Sequence, residues 1–170
     1  MNVRFAACTA FIFLVLNSLA SARPLEKQLP VNDSACFMRI YDAAHLKAHP
    51  KQLVRQIRIA HRGTADDGTL YISLDINLRK RANNGTYDYN SGGYCKGKGA
   101  SLVCTPEWDA GRFTISAGKN GTLVVRNAAL IVNPSNYDSE DIADNAVDLG
   151  KSDDATWILS PVYPENCAGN

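Results

Sequence analysis

The chain has 170 residues, 45% of them hydrophobic, and balances 18 Lys+Arg against 17 Asp+Glu for a formal charge of +1. That length suits one domain with a real core, and the near-neutral balance argues against nucleic acid, which demands a clear basic excess. No internal repeat is visible, and beyond the N-terminal segment no apolar run reaches membrane length.

In chain order, Arg4 is the lone early charge, residues 5–16 are apolar, and Ala20-Ser21-Ala22 follows. A short apolar run before a small-residue triplet is the pattern of a cleaved secretory signal over residues 1–22. Cys8 leaves with it, and no membrane span is expected after cleavage. The expected location is secreted or periplasmic. An uncleaved anchor is the competing reading, and it lacks a basic stop-transfer cluster.

Residues 23–35 are polar, carry Pro24 and Pro30, and lack periodicity, which predicts an extended or poorly ordered leader. The domain proper spans 36–167, with a tail at 168–170. Phe37, Ile40, Tyr41 and Ala44 recur at helical spacing. Asp42 suits the N-cap of a short helix ending near Ala48, and Pro50 stops it. A strand up to Tyr41 followed by that helix fits equally well.

Beyond Pro50 the period becomes two. Ile57 and Ile59 alternate with polar neighbours, and Leu70, Ile72, Leu74, Ile76 and Leu78 alternate with Tyr71, Ser73, Asp75, Asn77 and Arg79. One face of such a strand is buried and the other wet. Phe113, Ile115 and Ala117 repeat the pattern, as do Leu123 and Val125. Residues 102–104, 130–132 and 156–159 are further β-rich pieces. The apolar phase breaks between Val125 and Leu130, which predicts a bulge or bend. Turn signals punctuate these runs at Asp66-Asp67-Gly68, Asn83-Asn84-Gly85, Asp109-Ala110-Gly111 and Lys119-Asn120-Gly121. Short strands between such turns predict an all-β fold, a small antiparallel meander barrel or a sandwich, with one short N-terminal helix.

Four cysteines remain after signal cleavage, Cys36, Cys95, Cys104 and Cys167. An even count in an exported chain reads as two disulfides. The preferred pairing joins Cys95 with Cys104, stapling the glycine-rich loop 96–103, and Cys36 with Cys167, tying the domain's start to its end. On the chain-entropy model these closures contribute about 3 and 5 kcal/mol. Zinc is disfavoured because no C-x₂-C pair exists.

Charge is segregated. Residues 23–126 carry sixteen basic and nine acidic side chains, and residues 127–170 carry one and eight. The acidic C-terminal part is expected to fold back on the basic body, although such segregation also marks a basic binding face.

Candidate chemistry is sparse. His45 and His49 stand four apart, the spacing of a metal pair on one helix face. Leu46 occupies the position where a metalloprotease needs Glu, and His61 is the one conceivable third ligand. Gly92, Gly97 and Lys98 have phosphate-loop spacing, but Gly99 replaces the Ser/Thr that would hold magnesium. Glu107 and Asp109 flank Trp108, as a carboxylate pair in a glycosidase flanks its sugar. Tyr87, Tyr89, Tyr94 and Trp108 form the densest aromatic stretch, a candidate platform for a sugar or flat ligand. Residues 138–154 are acid-rich but lack calcium-loop spacing. Asn32-Asp33-Ser34, Asn84-Gly85-Thr86 and Asn120-Gly121-Thr122 are glycosylation sequons.

The stretch Cys36-Phe37-Met38-Arg39-Ile40-Tyr41-Asp42-Ala43-Ala44-His45-Leu46-Lys47-Ala48-His49-Pro50 resembles the opening of small secreted proteins of alphaproteobacteria. Gly93-Tyr94-Cys95 followed by Cys104, the Asp109-Ala110-Gly111-Arg112-Phe113 turn, and Asp153-Asp154 ahead of Cys167 share the resemblance. Those proteins carry no assigned activity, so no catalytic residue transfers. The resemblance implies a Gram-negative secreted or periplasmic setting, in which the sequons are silent.

The expectation is therefore an exported, non-enzymatic binding or interaction module for a small molecule or protein, without cofactor. The alternative is a hydrolase acting through Glu107 and Asp109 on an extracellular or periplasmic substrate.

Overall fold

The structure is a computed structural model that describes residues 25, 29, 35–80, 86–107, 110–135 and 145–166. The expected signal segment 1–22, the expected turn at Asn83-Asn84-Gly85 and the tail 168–170 lie outside them.

Strand β3 (Leu70–Leu78) shows why the chain closes into a barrel. Its five apolar residues are at most 3% exposed, while Tyr71, Ser73, Asp75 and Asn77 alternate with them on the outer face. A strand with one apolar face needs neighbours that curl the same face inward. β2 (Val54–Thr64) and β4 (Asp88–Lys98) flank it, both antiparallel. The meander continues through β5 (Ser101–Pro106), β6 (Phe113–Ala117) and β7 (Leu123–Asn127). The ring closes through β1 (Cys36–Ile40) and β10 (Thr156–Val162). β10 pairs with both β1 and β7. The fold is thus a closed eight-stranded antiparallel barrel, and the sandwich alternative falls away. A short pair, β8 (Ile131–Pro134) with β9 (Val147–Asp148), attaches to β4 at Tyr89 and Asn90, ahead of the stretch that pairs with β5. Within the described residues of the acidic C-terminal part, β8 pairs with β4, and β10 pairs with β1 and β7.

The helix expected after β1 is α1 (Ala43–Ala48). Asp42 is its N-cap, accepting the His45 amide at 2.7 Å. None of its residues is fully buried. The break in apolar phase after Val125 is a bend. Asn127 Oδ1 accepts the amides of Ala129 at 2.9 Å and Leu130 at 2.6 Å, holding Ala129 at a φ of 119°. Gly111 packs against that bend at a φ of 85°, and a Cβ there would collide with the Ala129 carbonyl oxygen. Only glycine fits.

One expectation needs correction. Residues 96–103 are not a stapled loop. β4 runs to Lys98, β5 starts at Ser101, and Cys95 lies directly opposite Cys104 in the ladder. Their disulfide is inside the barrel, both cysteines 0% exposed with Cα atoms 4.0 Å apart. This is the disulfide whose two partners both lie among the described residues. Cys36 is itself disulfide-bonded, and its expected partner Cys167 lies outside the described residues.

The leader holds a surprise. Leu25 and Leu29 belong to the main core cluster, at 4% and 1% exposure. Burying each contributes roughly 1.5–3 kcal/mol, sufficient to seat a segment with no periodicity of its own. His61, facing inward from β2, meets this segment. Its Nδ1 lies 3.0 Å from the Leu29 carbonyl oxygen and its Nε2 2.8 Å from that of Gly63.

Candidate functional site

The interior of the barrel is packed. Ile57, Ile59, Ile72, Leu74, Leu102, Phe113, Ile115 and Val125 are 0% exposed there, and Trp157 is 1% exposed. These inward side chains leave almost no surface open to water, and the two clefts described lie outside the barrel wall. The outer positions carry Arg58, Arg62, Asp75 and Lys96, which places water rather than lipid against the wall. No helix among the described residues is long and apolar enough to cross a membrane.

The aromatic stretch does not form one platform. Tyr89 faces inward at 2% exposure, whereas Tyr87 and Tyr94 are exposed at 40% and 51%. Strand alternation puts Tyr94 on the face opposite Tyr89, and Tyr87 lies just before β4 begins. Trp108 lies outside the described residues. Tyr94 pairs instead with Tyr71 across the strand, ring centroids 5.5 Å apart. The nearby Glu107 carboxylate holds the Tyr94 phenol above its ordinary value of 10. Glu107 is exposed and lies beside an outward-facing tyrosine. Its proposed partner Asp109 is outside the described residues.

His45 and His49 share a helix face as expected, but their rings stack. Tyr41, His45 and His49 form a column with centroids 4.6 and 4.4 Å apart. His45 Nε2 is bonded to Gln52 Oε1 at 2.9 Å. His61 is near the far end of β2, seven residues from Val54, so roughly 20 Å of strand separates it from the helix end. Among the described residues no three His, Cys, Asp or Glu side chains gather in a metal-ligating group.

Within the acid-rich stretch, Asp148 accepts the Gly150 amide at 2.9 Å and pairs with Lys151 at 3.1 Å. Asp154 is 1% exposed and entirely occupied. Its oxygens accept from the amides of Leu53 and Val54, the Ser152 hydroxyl and, at 3.4 Å, the Trp157 indole. Asp138, Glu140, Asp141 and Asp144 lie outside the described residues.

What the structure does bring together is a set that sequence reasoning missed. A cleft of about 460 Å³ lies between α1 and the adjoining barrel rim, lined by Ala43, Leu46, Lys47, Arg55, Arg79 and Tyr87. The cations come from α1, β2 and the residue after β3. Strand pairing joins them, because the Arg79 amide bonds Leu53 O and the Leu78 amide bonds Tyr87 O, each at 2.8 Å. The one signal in the sequence was the basic excess of the body. Of the aromatic candidates among the described residues, Tyr87 alone lines this cleft. A second surface cleft, of about 440 Å³, is lined by Thr105, Gly111, Arg112 and Ala128.

Comparison with protein-family models, with curated proteins and with solved structures finds no match to this chain.

Proposed function

We propose that the protein is an exported, non-enzymatic binding or interaction module that meets its ligand on the outside of a filled barrel. The carrying observation is the packed interior: a barrel that holds a ligand inside keeps a cavity there, and this one fills the space with Ile, Leu, Phe and Trp side chains. A disulfide sealed into the core supports maturation in an oxidising compartment, the periplasm or the cell exterior. The small secreted proteins of alphaproteobacteria that its opening resembles fit that setting.

The test has two arms. Apolar probes that enter β-barrel chambers, such as a long-chain fatty acid, should not raise the melting temperature, and the mature N-terminus should be residue 23. A saturable rise in melting temperature that disappears when Leu74 is changed to Trp would overturn the filled-barrel reading. The hydrolase alternative requires Glu107. Turnover of a glycoside or ester that survives purification and is lost in Glu107→Gln would establish it instead.

A further inference from the structure

We infer that the cleft under α1 is a binding site for a small oxyanion, a phosphate or carboxylate group, attached to a planar apolar body. This inference rests on the binding-module reading and names the ligand class.

Among the described residues, the cleft wall contains three cations, Lys47, Arg55 and Arg79, and no carboxylate. The acids next to it in sequence are committed elsewhere. Asp42 caps α1 by accepting the His45 amide, and Asp88 accepts from the Asn77 side-chain amide at 2.8 Å. Among the described residues, Lys47 and Arg55 make no ion pair. Like charges gathered without a counter-charge repel one another, and a bound anion relieves that repulsion.

Arg79 is pre-positioned for the task. Its Nη1 donates to the Leu46 carbonyl at 3.1 Å, with Gln52 O at 3.3 Å and His49 O at 3.4 Å. These carbonyls lie at the C-terminal end of α1 and just beyond, a natural seat for a cation. A guanidinium has five N–H donors, so fixing Nη1 leaves Nε and Nη2 with three that have no partner among the described residues. A planar fork held by one nitrogen is suited to a carboxylate or phosphate edge. Leu46, Ala43 and the Tyr87 ring supply the apolar part of the same wall. An aromatic ring beside a guanidinium cluster favours a flat group next to the anion. The volume, about 460 Å³, suits a small molecule rather than a bare ion.

The experiment titrates the mature protein with phenyl phosphate, inorganic phosphate and vesicles of phosphatidic acid in phosphatidylcholine. Binding is followed by NMR shifts of the Arg side-chain Nε–H groups and the Tyr87 ring. Phenyl phosphate should bind with a dissociation constant on the order of 1 mM or tighter, about tenfold better than inorganic phosphate, and weaken with added salt. Arg55→Gln and Lys47→Gln, both at exposed positions, should each weaken it about tenfold without altering the melting temperature. Phenyl phosphate binding without vesicle binding assigns a soluble ligand, and tighter vesicle binding assigns a lipid headgroup. No binding at 10-fold above that order of concentration, or binding indifferent to Arg55→Gln, sinks the site while leaving the filled-barrel module standing. Release of inorganic phosphate from phenyl phosphate would keep the site and sink the non-enzymatic reading.

Discussion

The Asp154 carboxylate accepts the Leu53 amide at 2.7 Å although 101 positions separate the two residues. The bond fastens the connection after α1 to the start of the closing strand β10, and the same carboxylate reaches Val54, Ser152 and Trp157. Removing it leaves buried amides without an acceptor. Asp154→Ala should therefore lose about 3 kcal/mol or more, and Asp154→Asn less, since the amide keeps one acceptor oxygen. Urea unfolding measures both. A loss below roughly 1 kcal/mol for the alanine variant would mean the carboxylate does not bind this junction.

Leu74 is 0% exposed on β3, and the neighbouring Ser73 faces outward, where its hydroxyl accepts from Arg62 Nε at 2.9 Å. Leu74→Ala should cost about 2–5 kcal/mol and Ser73→Ala no more than about 1. Equal losses would place both residues on the wrong faces.

Non-reducing peptide mapping should recover Cys95 linked to Cys104 and Cys36 linked to Cys167. Cys36 lies opposite Val162 in the β1–β10 pair, packs with Ala60 and Val162, and Asn166 O is held by Arg58 at 3.1 Å. Those contacts carry the chain end back over β1 and β2, one residue short of Cys167. A free thiol at either position would refute this pairing.

The melting temperature should be the same with and without EDTA, and several degrees lower in a reducing agent, since a disulfide in the core restrains the unfolded chain. A drop with EDTA, or stoichiometric zinc or calcium by elemental analysis, would direct attention to His45 and His49 or to the acidic segment 138–144.

Asp67, in the β2–β3 turn, should titrate at about 2 rather than near 3.8. The adjacent Thr69 hydroxyl lowers it most, although its geometry falls short of a hydrogen bond. The Thr69 amide at 3.0 Å and the Lys96 ammonium at 3.1 Å add to the effect. A depressed folded-state value means that its contribution to stability is present above 3.8 and fades as the pH falls through about 2. Carboxyl NMR should find that midpoint, and Lys96→Gln should raise it. A wild-type midpoint near 3.8 would show that the turn does not hold the charge.

What the amino-acid sequence determined by itself is whatever repeats locally. Period-two burial along β3, the Asp42 cap, the turn glycines Gly68, Gly111 and Gly121 and the bend before Leu130 all follow from interactions within a few residues, and each stands in the structure where the pattern puts it. Closure of the barrel and its packed interior depend instead on which strand finds which partner, and no local period encodes that. The same holds for Leu25 and Leu29, whose burial needs a barrel end to receive them, and for Asp154, whose amide partners arrive from a hundred residues away. Tyr87, Tyr89 and Tyr94 read as one aromatic cluster in sequence, yet strand alternation turned Tyr89 inward and left Tyr94 to pair with Tyr71. Lys47, Arg55 and Arg79 are, in sequence, only part of the basic excess of residues 23–126. Only strand pairing and the seating of α1 by Arg79 drew them into one cleft, because a site built from distant segments exists only once the chain has paid the entropy of bringing them together.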